Sequence, residues 1–337
     1  MVSEPANAPA GPARLLPDDR KLIAATVGVL VAVSLLVFSN VAANHSPKPH
    51  NLPIGIVGPP AVADVARAQL GRVAPGGYRI HDYDSLATAK SAVLHRSVYG
   101  AFQPAPTAVL LVATAASPAV AALLQRTFGT ISRTSGRPLI VQDVTPLPAS
   151  DSTGATTFSA ILGLIIAGLA GTSLVYSFTR HRSEALRIVA TFVIAVAAGL
   201  LTAVITNLVV AAYPGHFFAV WGVATLFLLA IGMPIAAMQV LFGVAGGAIG
   251  WVLFFVIGNP ASGGSSAPEL LPGFWRALSQ ALPPGAAVTS LRDVVYFHGH
   301  GSTRALIVLA LYAIVGFAVA IGVYRFRVRT KPARTNN

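Results

Sequence analysis

The chain has 337 residues, 54% of them hydrophobic and 10% charged, with a mean hydropathy of +0.70. Soluble globular domains carry about 25% charged residues and disordered chains are poor in apolar ones, so both classes are excluded and a polytopic membrane protein remains. The net charge of +12 gathers at the edges of apolar runs, which points to membrane orientation and lipid headgroups rather than to nucleic acid. Cysteine is absent, so disulfides, thiolate metal sites and cysteine nucleophiles are excluded. An excess of Arg over Lys amid abundant Ala and Gly is the bias of a GC-rich bacterial genome.

In chain order, residues 1–21 form a Pro/Ala-rich tail ending in Asp18-Asp19-Arg20-Lys21, and the first span is expected over 22–43. The uncharged run Leu22–Val41 covers 20 residues, longer than a signal-peptide core of about 7–15 residues. Residues 44–157 are polar and mixed, and their pattern predicts an extracytoplasmic α/β domain inserted between the first and second spans. Strands are expected at Leu52–Val57, Tyr78–Tyr83, Val98–Phe102, Ala108–Ala113 and Pro138–Val144. Helices are expected at Ala61–Gly71, Ser85–His95 and Pro118–Ser132, the last from the i, i+3, i+4 spacing of Val120, Leu123, Leu124, Phe128 and Ile131.

Residues 158–325 hold five further spans. Phe158–Phe178 and Ile188–Ala212 flank a basic connection containing Arg180, Arg182, Glu184 and Arg187. Phe217–Gly258 then runs 42 residues without a charge, about 63 Å as one helix against a hydrocarbon core of roughly 30 Å, so two spans are required. A break is expected at Gly232-Met233-Pro234. Gly243, Gly246, Gly247 and Gly250 make overlapping GxxxG patterns suited to close helix packing. Segment 259–303 holds pieces too short to span yet too apolar for water, the mark of a re-entrant or interfacial segment. Trp275 suits the aromatic belt at headgroup depth. Ala305–Tyr324 is the last span, followed by a basic tail over 326–337. Short basic segments stay cytoplasmic. Arg14, Arg20 and Lys21, then Arg180, Arg182 and Arg187, then Arg325, Arg327, Arg329, Lys331 and Arg334 place both termini in the cytoplasm of a multi-pass bacterial plasma membrane protein.

The spans so drawn hold no Asp, Glu, Lys, Arg or His. Ion-coupled transporters keep such groups at depth as their coupling device, so proton-relay transport and intramembrane hydrolysis are both disfavoured. No GxxxxGK[ST] loop occurs, so nucleotide-driven work would need a second polypeptide. His298-Gly299-His300, with His45 and His50, is read as loop polarity rather than a metal site, and no serine-hydrolase spacing is present.

Three stretches carry a family resemblance: Leu271-Pro272-Gly273-Phe274-Trp275, Leu282-Pro283-Pro284-Gly285 and Leu291-Arg292-Asp293-Val294-Val295-Tyr296-Phe297. With the order of one span, an outer domain and five clustered spans, this resembles ABC-2 type permeases, within them the YhgE/phage infection protein (Pip) branch. Asp84–Lys90 leading to Val98–Ala101 resembles an element of that branch's outer domain, although the outer segment here is shorter than the coiled insertions many of its members carry.

The resemblance implies a non-enzymatic permease subunit, homodimeric or paired, that moves an apolar or amphipathic substrate outward. ATP and Mg would be held by a separate ATPase subunit, and this chain would hold no cofactor or metal of its own. It further implies that Arg180, Arg182, Glu184 and Arg187 meet the ATPase. Pro272, Phe274, Trp275, Leu282, Pro283, Pro284 and Arg292 would belong to an outer re-entrant gate. Two alternatives stay open: an envelope interaction protein whose outer domain binds a ligand, and an ion-coupled transporter.

Overall fold

The computed structural model describes residues 17–179 and 182–329. Among them, six helices are long and apolar enough to cross a membrane: Asp19–Asn44, Ala155–Thr179, Glu184–Val209, Phe217–Phe242, Val244–Ala261 and Ser302–Val323. The protein is therefore a polytopic helical membrane protein.

Between the first two spans the chain builds a five-stranded sheet. After α1 (Pro17–Asn44) come β1 (Leu52–Val57), α2 (Pro60–Val73), β2 (Tyr78–Tyr83), α3 (Leu86–Leu94), β3 (Gly100–Gln103), β4 (Ala108–Val112), α4 (Pro118–Thr134) and β5 (Leu139–Asp143). The strand order is β2-β1-β3-β4-β5. β1 is parallel to β2 (Leu52 opposite Tyr78) and to β3 (Gly55 opposite Ala101). β3 and β4 are antiparallel (Gly100 opposite Val112), and β4 and β5 parallel (Ala108 opposite Leu139).

All six residues of β1 are buried, as a strand covered on both faces must be. One face packs Leu52, Ile54, Ile56, Phe102 and Leu110 against Leu70 of α2 and Leu124 and Phe128 of α4. The other packs Val57, Ala101 and Leu111 against Ala89 of α3. Ser85 and Ser117 cap α3 and α4, their hydroxyls accepting from the Thr88 and Val120 amides.

The bundle follows as α5 (Ala155–Thr179), α6 (Glu184–Val204, ending in a π turn at Ile205–Val209), α7 (Phe217–Phe242) and α8 (Val244–Gly250). The α8 helix continues through a π segment at Trp251–Ile257 into α9 (Gly258–Ala261), and α10 (Gly273–Ser279), α11 (Pro283–Tyr296) and α12 (Ser302–Arg329) complete the chain. α7 is the hub: Val220, Phe227, Ile231 and Ile235 lie in one apolar core with Ile165 of α5, Ala195 of α6, Leu291 of α11 and Leu309 of α12. α1 stands apart and touches the rest near its C-terminal end, where Ala42 and Ala43 pack with Ala261, Leu271 and Trp275 and Asn44 accepts from Ser265.

The expected break at Gly232-Met233-Pro234 is corrected: α7 runs unbroken through Pro234. Glycine here serves contact rather than termination. A Cβ on Gly232 would lie 2.8 Å from Thr191 Cγ2 and 3.1 Å from Thr172 Oγ1, and one on Gly316 of α12 would overlap the Pro234 nitrogen. Proline inside a span is tolerated where neighbouring helices cover the freed backbone. The chain turns instead at Gly243, whose φ of 64° is open to glycine at little cost. The third span also starts earlier than its apolar run, at Glu184 behind the Ser183 cap.

Candidate functional site

The candidate site lies where segment 262–301 meets the sheet. Pro283 and Pro284 occupy the first turn of α11, where a missing N–H costs nothing, and a Cβ on Gly285 would overlap the Ser279 carbonyl. The 14 residues of α11 reach about 21 Å, short of the roughly 30 Å a span needs. They are nonetheless buried: Ala286, Ala287, Val288, Leu291 and Val295 share the core of α5, α7 and α12. Ala267 and Leu270, before α10, and Phe297, just after α11, belong instead to the core of the sheet. One segment is thus packed into both bodies.

A buried polar seam joins them. Arg96, just after α3 with a φ of 63°, donates from Nε to Asp293 Oδ1 at 2.8 Å. Its guanidinium lies 5.1 Å from the centre of the Tyr99 ring and 4.9 Å from that of Phe297, a favourable arrangement for a cation. The Tyr99 hydroxyl donates to Glu269 Oε2 at 2.8 Å, and the Arg292 guanidinium to the Gly264 carbonyl at 2.7 Å. Ser117 Oγ donates to the Ser266 carbonyl at 2.7 Å. Gly301 closes the seam: a Cβ there would lie 2.8 Å from Asp293 Oδ2 and 3.1 Å from Arg96 Cβ. Behind it, Tyr213 and Tyr296 meet edge to face at 6.0 Å, and Tyr213 shares a 2.8 Å hydrogen bond with Thr157 of α5.

Desolvation dominates the electrostatics. Burial pushes the Asp293 carboxyl up to about 6 against the opposing pull of Arg96. Burial, seconded by Glu269, also pushes the Tyr99 phenol upward, and burial lowers the Arg292 guanidinium from its ordinary value. The seam therefore holds a carboxylate poised near neutrality beside the buried Arg292 and the partly buried Arg96. It resembles a mechanical joint more than a reaction centre: its groups are committed to one another, and they tie residues almost two hundred positions apart in sequence.

The sequence-predicted gate residues divide around this joint. Arg292 lies in it. Pro283 and Pro284 start α11, and Leu282 is buried beside them. Pro272 precedes α10, where Trp275 is buried against the end of α1 while Phe274 is 64% exposed. At the other end of the bundle, Arg182 is exposed and Arg180 lies outside the described residues. Arg187 is buried: it pairs with Glu184 at 2.6 Å, donates to the Thr179 carbonyl at 3.0 Å and sits 5.0 Å from the Tyr176 ring centre. Arg187 and Glu184 thus clamp the end of α5 to the start of α6.

The glycine series folds α8 back on α7. A Cβ on Gly246 would overlap the Met238 carbonyl, one on Gly250 would lie 2.6 Å from Ile235 Cγ1 and one on Gly247 3.1 Å from Gln239 Nε2, with Gly243 at the turn. His300 packs its ring on His95 at 4.2 Å. Sequence reasoning missed Arg96, Tyr99 and Glu269 as site residues, and passed over Asp293 while singling out its neighbour. The available signal was Asp293 itself, the carboxylate of the Arg292-Asp293 pair in a largely apolar segment.

No protein-family profile, curated protein or solved structure matches this chain.

Proposed function

We propose that this chain is the membrane permease subunit of an ABC-2-type exporter, homodimeric or paired, in a bacterial plasma membrane. In this reading both termini are cytoplasmic, the sheet forms an inserted extracytoplasmic α/β domain, and an apolar or amphipathic substrate moves outward. A separate ATPase subunit holds ATP and Mg and supplies the work, while no covalent step occurs in this chain.

The observation that carries the reading is α11: a buried helix too short to span, between the fifth and sixth spans, in the place that a re-entrant gate would occupy. A second observation supports it. The Asp, Glu, Lys and Arg side chains within the six apolar helices are Asp19, Arg20, Lys21, Glu184, Arg187 and Arg304, all in first turns, and these helices hold no His, so the middles of the six spans carry no acidic, basic or imidazole group. Arg182 is the exposed candidate for ATPase contact, because Arg187 and Glu184 are committed to the α5–α6 clamp.

Affinity isolation of the full chain from native membranes tests this. A Walker-motif ATPase is expected to co-isolate with the wild type and to fall at least tenfold with Arg182→Glu, with thermal stability unchanged. Arg187→Ser is expected to lower stability itself. A wild-type chain that isolates without an ATPase contradicts the proposal.

A further inference from the structure

The sheet carries a second feature, independent of whether the bundle exports. Between β1 and β3 the strand order reverses: α2 leads from β1 to β2 over one face, and α3 leads back across β1 to β3 over the other. In open α/β sheets, ligands bind at such a reversal, outside the carboxyl ends of the strands. Near that end of the sheet an open cleft of about 540 Å³ lies between α2 and α4 on one face, reaching Phe102 and Pro104 at the carboxyl end of β3; its volume is within the 300–1,000 Å³ range of small-molecule sites.

Its apolar wall is Val62 and Val65 of α2, Ile131 of α4 and, at the floor, Phe102. Val65 is 58% exposed at the mouth. The polar end is supplied by Ser132 and Arg137. Ser132 is 3% exposed and its hydroxyl has no hydrogen-bond partner. Its neighbours on the last turns of α4 behave otherwise: Thr130, Thr134 and Ser135 donate back to the carbonyls of Arg126, Thr130 and Ile131. A buried hydroxyl left unpaired costs about 1–3 kcal/mol, so Ser132, a residue of the cleft wall whose hydroxyl is sealed from solvent, gains by meeting an acceptor. Arg137 is exposed and has no carboxylate partner among the described residues.

An apolar slot ending in one cation and one unsatisfied donor matches one ligand chemistry. We propose that the α2–α4 cleft binds an amphipathic anion, its apolar body against Val62, Val65 and Ile131 and its carboxylate or phosphate head on Arg137 and the Ser132 hydroxyl. A guanidinium takes either head through paired charge-assisted hydrogen bonds.

Calorimetric titration of the full chain in nanodiscs tests this, with octanoate, octyl phosphate and octyltrimethylammonium as probes and empty nanodiscs as the blank. Saturable binding of an anion above the blank is expected, with none for the cation. The tighter anion identifies the head: octanoate a carboxylate, octyl phosphate a phosphate. Arg137→Gln, on an exposed loop, is expected to weaken binding at least tenfold. Ser132→Ala is expected to weaken it severalfold without loss of stability, since it removes an unpaired buried hydroxyl. Ala66→Trp, which fills the cleft, is expected to abolish it. Equal uptake of anions by wild type, Arg137→Gln and Ala66→Trp, or equal uptake of the cationic probe, overturns the proposal in favour of partition into lipid. Neither result bears on co-isolation of an ATPase.

Discussion

Asp293 is 1% exposed and its charge faces Arg96 and Arg292, so its protonation is linked to how firmly the sheet is held. Burial sets its folded pKa, about 6, above the ordinary 3.8. The folded state then binds this proton more tightly than the unfolded one, so the stability this group contributes is complete below the unfolded value and is lost as the pH rises through about 6. Between about pH 4 and 7.5, the wild type is expected to lose on the order of 2–3 kcal/mol relative to Asp293→Asn, read as the change in the difference between the two denaturation curves. A constant difference would show that the carboxyl titrates normally. Arg96→Met strands the carboxylate and is expected to cost about 3–5 kcal/mol at neutral pH, and much less at about pH 5, where Asp293 takes up a proton. These partners were hard to read from sequence because ion pairing across the seam depends on how two bodies dock, whereas local patterning reports only on neighbours within a helix turn or a strand.

At the scale of elements, the strands and helices of the sheet were legible because alternation and helical spacing are local signals. β1 and β2 occupy the residues whose pattern announced them, and β3 starts two residues later than expected, at Gly100, after Val98 enters the sheet core and Tyr99 reaches Glu269 in the seam. Gly232 and Pro234 misled because punctuation in a water-exposed helix becomes packing inside a bundle. What distinguishes the two is the surface of α5, α6 and α12 against them, which a single stretch of sequence does not carry. Gly316→Leu is therefore expected to push α12 away from Pro234 and to cost at least about 1–3 kcal/mol, measured as thermal stability in detergent. Gly322→Leu, with nothing within 4 Å of its Cβ position, is expected to be neutral. Equal effects at both glycines would refute the close approach.

For the whole molecule, alternation of six spans places the two ends of the bundle on opposite sides of the membrane. The sheet end gathers Asn44, Thr157, Tyr213, Ser265 and Asp293, linked by Ser265–Asn44, Thr157–Tyr213 and Arg96–Asp293 contacts. The other end carries Arg20, Lys21, Arg182 and Arg325. Charge and hydropathy made this polarity visible in the sequence; the segment packed into both bodies was visible only as an apolar stretch of the wrong length. The exporter reading requires the sheet to face outward and the basic end inward. Because the chain has no cysteine, a single introduced one reports its own side. A membrane-impermeant maleimide applied to intact cells is predicted to label Gln125→Cys, exposed on α4, and to reach Arg182→Cys only after permeabilisation; labelling of Arg182→Cys in intact cells, with Gln125→Cys protected, would contradict the account.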